Sequence, residues 1–279
     1  PPVSIWAGAA DRFITDSPSR ANFHHRAKSM PDLSAAAFAS HLAPAACVFA
    51  AAFLQSATGF GLVMIASPLL MYFYDPKLVI LVVALVACFG NTAQSILLRR
   101  YTPFALVGWL TLGALIGQPI GLRIYQIIPG VWLKLVVSVV ILISLTLMQA
   151  FHVHAEIRPR NSLITGMIAG TSATTTGMSG PPLILYLSHA KLTPEEIRAV
   201  ACTFFAASNI LALTTFYLGG VDFTAALHEA PYILPGLLLG VSAGYVAAGR
   251  VPAQAFRKIL YVILVVMCLH TIWISVRAM

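Results

Sequence analysis

Long stretches without ionisable side chains constrain the fold of this chain more than any other feature of its sequence. Seven of them contain no Asp, Glu, Lys, Arg or His, and they cover residues 42–74, 78–98, 101–122, 135–151, 161–188, 199–221 and 230–249. An eighth, 259–276, is interrupted only by His270. A transmembrane helix needs roughly 20 mostly apolar residues. The sequence therefore predicts an all-α polytopic membrane protein with eight apolar segments.

The charge content and the cysteines agree with this class. Only 9% of the residues are charged, against about 25% in soluble proteins. The net charge of +8 comes from the N-terminal arm and short loops, where Lys and Arg meet lipid headgroups and set orientation, so we expect no nucleic-acid partner. The isolated cysteines indicate free thiols, with no disulfide and no metal site; they are Cys47, Cys88, Cys202 and Cys268.

The chain reads as two related halves after an N-terminal arm, 1–40, which we predict to be a flexible aqueous segment. FLQSATGFGLVMIASPLLMYF at 53–73 aligns with MIAGTSATTTGMSGPPLILYL at 167–187, and further matches follow in order along both halves. They pair Pro68 with Pro182, Asn91 with Asn209, and the spacing Gly113, Gly117, Gly121 with Gly236, Gly240, Gly244. We therefore predict two homologous four-segment repeats, 41–151 and 161–276.

The first segment of each repeat is interrupted by residues that disfavour a continuous helix. Residues 42–74 as one helix would be about 50 Å long, against a hydrocarbon core of about 30 Å. Gly and Pro near 58–68 and 171–182 are the expected break points. We predict that each first segment is broken or re-entrant. Re-entrant segments make the repeats inverted and simple crossings make them parallel; we favour inversion.

Unwound backbone inside a membrane must face protein or a water-filled cavity. Amides at half-helix N-termini, together with nearby hydroxyls and side-chain amides, could hold a small anion near the midplane. Taken singly, each hydroxyl is more typical of helix packing. The predicted substrate-binding residues are Gln55, Thr58, Gly59, Gly61, Asn91, Thr174, Thr175, Thr176, Gly177, Ser179, Gly180 and Asn209.

Other polar residues admit two interpretations. Gln94 and Gln118 either hold helices together or contact substrate, and the glycine spacings indicate close helix packing. Arg198 either anchors a loop or screens an exiting anion. The sequence GMSG at 177–180 is similar to the nucleophile motif of rhomboid intramembrane proteases, with Ser179 as the nucleophile. A hydrolase also needs a histidine base and oxyanion donors, and only His270 fits the first role, so we do not expect an enzyme.

Two patterns relate the chain to a known family. ATGFGLVMIASPLLMYF in the first half, and GMIAGTSATTTGMSGPPLILYL followed by a loop ending in EEIR in the second, resemble the TauE/SafE family of sulfite exporters, from about Ala45 to Trp273. The resemblance implies a multi-pass carrier of the bacterial inner membrane that moves sulfite, small organosulfonates or related anions, usually outward. We expect no cofactor. A different small anion such as a carboxylate, the choice between H⁺ and Na⁺ as coupling ion, and association into homo-oligomers stay open.

Overall fold

The computed structural model describes residues 41–58, 61–150, 157–187 and 190–247, together with Val265, Leu269 and Trp273. These described residues are nearly all helical and include no β-strand. The helices are α1 (Leu42–Thr58), α2 (Leu62–Leu70), α3 (Pro76–Leu98), α4 (Phe104–Ile127), α5 (Gly130–Ala150), α6 (Pro159–Thr176), α7 (Gly180–Leu187), α8 (Pro194–Leu218) and α9 (Thr224–Ala247), with a short 3₁₀ turn at Arg99–Tyr101. The predicted N-terminal arm and most of the last apolar segment lie outside the described residues.

Local sequence explains where the long helices begin. α3 follows Asp75, whose carboxylate accepts the backbone N–H of Lys77 at 2.9 Å, and its first residue is Pro76. α8 follows Thr193, which forms a capping box with Glu196. Such side chains satisfy amide groups that have no partner inside the helix.

Three of the described helical stretches are long and apolar enough to cross a membrane by length and composition. They are Pro76–Tyr101, Phe104–Ile127 and Pro194–Leu218. The first long apolar stretch of the sequence is divided between α1 and α2, and the fifth between α6 and α7. The chain is therefore an integral membrane protein in which two pairs of shorter helices, α1–α2 and α6–α7, each precede a run of longer ones.

Hydrogen bonds and ring contacts identify the two ends of the helix bundle. At end A, the Tyr125 hydroxyl donates to the carbonyl of Lys77 at 3.3 Å, and the Tyr125 ring lies 5.0 Å from that of Phe216. These contacts bring together the start of α3 and the last turns of α4 and α8. End B holds the opposite ends of these helices, where the hydroxyls of Thr102 and Thr203 lie 3.4 Å apart.

The pair α6–α7 starts from end B and turns back towards it. α6 runs parallel to α4 in very close contact, since a Cβ atom built on Gly117 would lie 2.0 Å from the carbonyl oxygen of Met167. Tyr186, near the end of α7, then lies beside Ser162, near the start of α6, with their hydroxyls 2.9 Å apart. α6 and α7 thus form a hairpin whose tip is the loop at 177–179; we call it the second hairpin.

The pair α1–α2 also packs against a glycine-containing helix, but it starts from end A. α1 runs parallel to α9, where a Cβ atom on Gly240 would lie 2.4 Å from the carbonyl oxygen of Phe49. His41, just before α1, lies 3.4 Å from the carboxylate of Glu229 in α9. Only five residues separate the end of α2 at Leu70 from the start of α3 at end A, so α2 leads back to end A. We call α1–α2 the first hairpin.

Candidate functional site

The first junction, residues 59–61, is followed by a helix start whose first amides have no acceptor among the described residues. α1 ends at Thr58, and α2 begins at Leu62 after Gly61, whose φ of 115° suits glycine. No side chain caps α2 at this point. The N–H groups in its first turn have no acceptor among the described residues, because the first amides of any helix lack an intrahelical partner; they belong to Leu62, Val63 and Met64. The helix dipole adds positive potential at this position.

The second junction, residues 177–179, is built differently. Gly177, with φ of 78°, ends α6 in a left-handed conformation, and its N–H donates to the carbonyl of Ala173 at 3.0 Å. α7 then begins at Gly180 and continues with Pro181 and Pro182. Proline has no backbone N–H, so this junction presents fewer amides than the first.

The two junctions meet at one cavity of about 30 Å³, which has room for about one or two water molecules. Its walls come from both hairpins and from the middle of α3 and α8. The lining residues are Gln55, Gly61, Leu62, Val63, Met64, Asn91, Met178, Ser179, Gly180, Pro181, Phe205 and Asn209.

The polar groups of the cavity are uncharged. The side-chain amide of Gln55 donates to the side-chain oxygen of Asn91, which ties the tip of α1 to α3. Asn209, on α8, adds a further side-chain amide to the cavity wall. None of the described residues that line the cavity is ionisable. The cavity therefore combines neutral hydrogen-bond donors with the N-terminal end of a helix, an arrangement that favours a small anion.

Six of the twelve predicted binding residues line this cavity, and both halves of the chain contribute. They are Gln55, Gly61, Asn91, Ser179, Gly180 and Asn209. Gly177 lies in the second junction without lining the cavity. Gly59 lies outside the described residues, and so does the side chain of Thr58.

The other three predicted residues turn their hydroxyls to backbone carbonyls. Thr174 donates to the carbonyl of Gln118 in α4 at 2.9 Å. Thr175 donates to Thr171 at 2.8 Å, and Thr176 donates to Ser172 at 2.9 Å. These bonds hold α6 together and fix it to α4, and none of the three residues lines the cavity. A direct role for them in substrate binding stays a prediction.

The sequence reasoning missed the apolar half of the cavity. The missed residues are Leu62, Val63, Met64, Met178, Pro181 and Phe205. The first three line the cavity because they form the first turn of α2. The sequence feature that could have indicated them is a glycine followed by an apolar run. Phe205 gave no signal, because an aromatic residue in an apolar segment is usually a packing residue.

Gln118, which was left between packing and substrate contact, makes packing contacts. Its side-chain N–H donates to the carbonyl of Ser208 at 2.8 Å, and its side-chain oxygen accepts from Thr215 at 3.3 Å. Its backbone carbonyl accepts from Thr174. Gln118 thus links α4 to both α6 and α8.

Among the described residues, no group of three His, Cys, Asp or Glu side chains could hold a metal ion.

Comparison with known proteins gives one family. The family model described as "Sulfite exporter TauE/SafE" matches residues 44–271 of this chain. The match covers all of the described helices except the first two residues of α1. No curated protein and no solved structure matches the chain.

Proposed function

The chain belongs to the TauE/SafE family of sulfite exporters, and we propose that it carries sulfite, a small organosulfonate or a related anion out of the cell through the cavity between its two junctions. The family is one of membrane transporters rather than enzymes, so Ser179 is assigned a contact with the anion instead of a nucleophilic role. The proposed location is the bacterial inner membrane. No coupling ion is assigned.

One observation carries the choice of binding site. The free amides at the start of α2, the side-chain amides of Asn91 and Asn209, and the hydroxyl-bearing Ser179 all border one uncharged cavity. A compact oxyanion accepts several hydrogen bonds at once, and neutral donors hold it without requiring a counter-charge that must move with it. The cavity is smaller than such an anion needs, so binding is accompanied by a separation of the two hairpin tips.

The proposed mechanism uses the opposite directions of the hairpins. α1–α2 leads in from end A and α6–α7 from end B, and each rests on the glycine-lined helix of the other half, α9 or α4. This arrangement supports inverted repeats, 41–151 and 161–276. Moving one hairpin against the rest opens the cavity to one end and closes it to the other, which is alternating access around a fixed site.

Uptake and efflux by reconstituted proteoliposomes test this function. A panel of sulfite, sulfate, methanesulfonate and a carboxylate such as acetate, with pH and Na⁺ gradients varied, identifies the substrate class and the coupling ion. We expect saturable sulfite or sulfonate flux. Failure of every anion to move would refute the proposal, and flux of acetate alone would replace the substrate class.

A single substitution tests the position of the site. Asn209→Leu removes an uncharged amide from the cavity wall, so we expect at least a tenfold rise in the half-saturating sulfite concentration, about the value of one hydrogen bond to an anion. Thr214→Val is the matched control on the same helix, because the Thr214 hydroxyl donates only to the carbonyl of Ile210 at 2.8 Å and lies away from the cavity. Equal effects of the two changes would argue against this cavity.

A further inference from the structure

We infer that Arg198, Gln94 and Ser56 form a second binding site for the same class of small oxyanion, between the cavity and end B. The inference rests on the proposed function, since it gives the transported anion a second position on its path. Nothing in the family match assigns these three residues a role.

The three residues lie within about two helical turns of cavity residues, each on a different helix. Ser56 follows the cavity residue Gln55 on α1, and Gln94 comes one turn after Asn91 on α3. On α8, Arg198 lies nearer the start of the helix than the cavity residue Phe205. α1 leads inwards from end A, whereas α3 ends and α8 starts at end B, so all three displacements point towards end B.

Two contacts hold the group together. The Arg198 Nη2 atom donates to the backbone carbonyl of Ser56 at 2.9 Å. One turn further along α8, the Cys202 thiol donates to the side-chain oxygen of Gln94 at 3.7 Å. α1, α3 and α8 therefore meet around a half-buried guanidinium group.

What the group lacks is an acceptor. Arg198 Nε, Gln94 Nε2 and Ser56 Oγ are buried and have no hydrogen-bond partner among the described residues. Gln94 is only 7% exposed and Ser56 only 2%. All three atoms can donate. Buried donors without a partner are rare and costly, and each calls for an explanation.

The charge of Arg198 is also uncompensated. Among the described residues no carboxylate forms an ion pair with it, and the nearby Glu196 is engaged with Thr193 at the start of α8. A bound oxyanion would accept from the guanidinium and from Gln94 together, and such charge-assisted bonds are the strong ones. The bond to Ser56 explains the position of Nη2 and the Cys202 contact engages Gln94 Oε1, whereas a purely structural role leaves Arg198 Nε and Gln94 Nε2 without an acceptor.

Sidedness distinguishes this site from the cavity. In membrane vesicles of both orientations, Arg198→Gln should raise the half-saturating sulfite concentration at least about tenfold when sulfite is added from end B. It should change this value less than twofold from end A, where the anion reaches the cavity first. A cysteine replacing Arg100, in the 3₁₀ turn at end B, and an impermeant maleimide identify which vesicle face is end B.

A second variant and a control complete the test. Gln94→Leu should give a similar end-B effect, and the double variant should add little to either single one because both residues bind one anion. Arg123→Gln, which removes an exposed positive charge on α4, should leave both values unchanged. Unchanged end-B values in both variants, or equal rises from both ends, would overturn the second site while leaving wild-type flux intact. Absence of wild-type flux would instead refute the proposed function on which it rests.

Discussion

The first and second junctions border the same cavity, yet they offer an anion different groups. The first presents a run of backbone amides at the start of α2, after Gly61. The second has two prolines in the corresponding turn of α7 and contributes mainly Ser179. The sequence directed the prediction of binding residues to the hydroxyl-bearing second half. The structure places more backbone N–H groups without an acceptor among the described residues at the first junction. Backbone amides, which no side-chain pattern records, therefore make the difference between the two.

The hairpins that carry these junctions are also held differently. α6 meets α4 with glycines on both helices, since Gly166 and Gly170 of α6 lie against the backbone of α4. Thr171 and Thr174 add hydrogen bonds from α6 to carbonyls of α4, at 3.0 and 2.9 Å. Between α1 and α9 the close backbone contacts are made at glycines of α9, since α1 contains none, and His41 just before α1 lies 3.4 Å from Glu229. This difference indicates that the second hairpin is the more firmly seated of the two.

The largest effect is expected from a bulky side chain placed in the close contact between α4 and α6. A Cβ atom on Gly121 would lie 2.2 Å from both the carbonyl oxygen of Thr171 and the hydroxyl of Thr174. Gly121→Leu should therefore prevent close packing and cost more than about 3 kcal/mol, seen as loss of monodisperse protein in size-exclusion chromatography. Gly108→Leu on the same helix is the matched control, because a Cβ atom there meets nothing within 4 Å. Normal folding of the Gly121 variant would disprove the close packing of α6 on α4.

The next largest effect distinguishes the contribution of a backbone N–H group from that of a side chain at the first junction. Val63→Pro removes one amide from the first turn of α2, where proline is tolerated. We expect the half-saturating sulfite concentration to rise about tenfold, equivalent to about 1.4 kcal/mol, with proteoliposome flux as the measurement. Val63→Ala keeps the amide and should leave the value nearly unchanged. If both variants behave alike, the side chain and not the amide matters, and the contrast between the junctions fails.

A smaller effect compares the two junction glycines. A Cβ atom at Gly61 or Gly177 would make only ordinary contacts, at 3.6 and 3.7 Å, so the cost of alanine comes from the backbone conformation. Gly177→Ala should lower the free energy of unfolding by about 1 kcal/mol, and Gly61→Ala by about 2 kcal/mol because its φ lies further from the left-handed region. Denaturation in detergent measures both, and Gly220→Ala, with φ of 72° in an open loop, should match Gly177→Ala. The reverse order would show that the first junction is the less constrained.

The smallest effect concerns the threonines of α6. Thr174→Val removes the hydrogen bond to the carbonyl of Gln118 and should lower stability by about 0.5 to 1 kcal/mol. The half-saturating sulfite concentration should not change, because Thr174 lies outside the cavity wall. Ser179→Ala is the companion variant, and it should raise that concentration a fewfold at unchanged stability. A binding defect in the Thr174 variant would restore the sequence-based assignment of this residue.

Much of the fold followed from the sequence because lipid exposure leaves a strong one-dimensional signal. The absence of charges predicted the helical segments, and glycine with proline indicated the places where α1 and α6 end. The register was less accessible. The alignment paired Pro68 with Pro182, whereas the helix ends pair Thr58 with Thr176 and Leu62 with Gly180, a difference of about one helical turn. A shift by one turn keeps the same face of a helix, so apolar periodicity cannot detect it.

The candidate site was predictable only in part, for a related reason. Gln55, Asn91 and Asn209 are polar in apolar surroundings, and such residues stand out. The threonine hydroxyls stand out equally, but a hydroxyl in a helix can turn to a carbonyl one turn back, and sequence does not record that choice. Arg198 and Gln94 show the opposite case, since their significance comes from unsatisfied atoms that only coordinates reveal.

Gln118, buried between three helices, has a consequence for how the protein responds to its lipid environment. Its side chain and carbonyl join α4, α6 and α8 by hydrogen bonds that keep their relative heights fixed. α1 packs against α9 along the glycines of α9, with the contact between His41 and Glu229 near one end of the pair, and we expect these two helices to slide past one another more readily. In thinner or thicker bilayers, which act on helices through hydrophobic mismatch, the α1–α9 pair should adjust while the Gln118 triad stays rigid. Acyl-chain length should then change the turnover rate of transport more than the affinity for the anion.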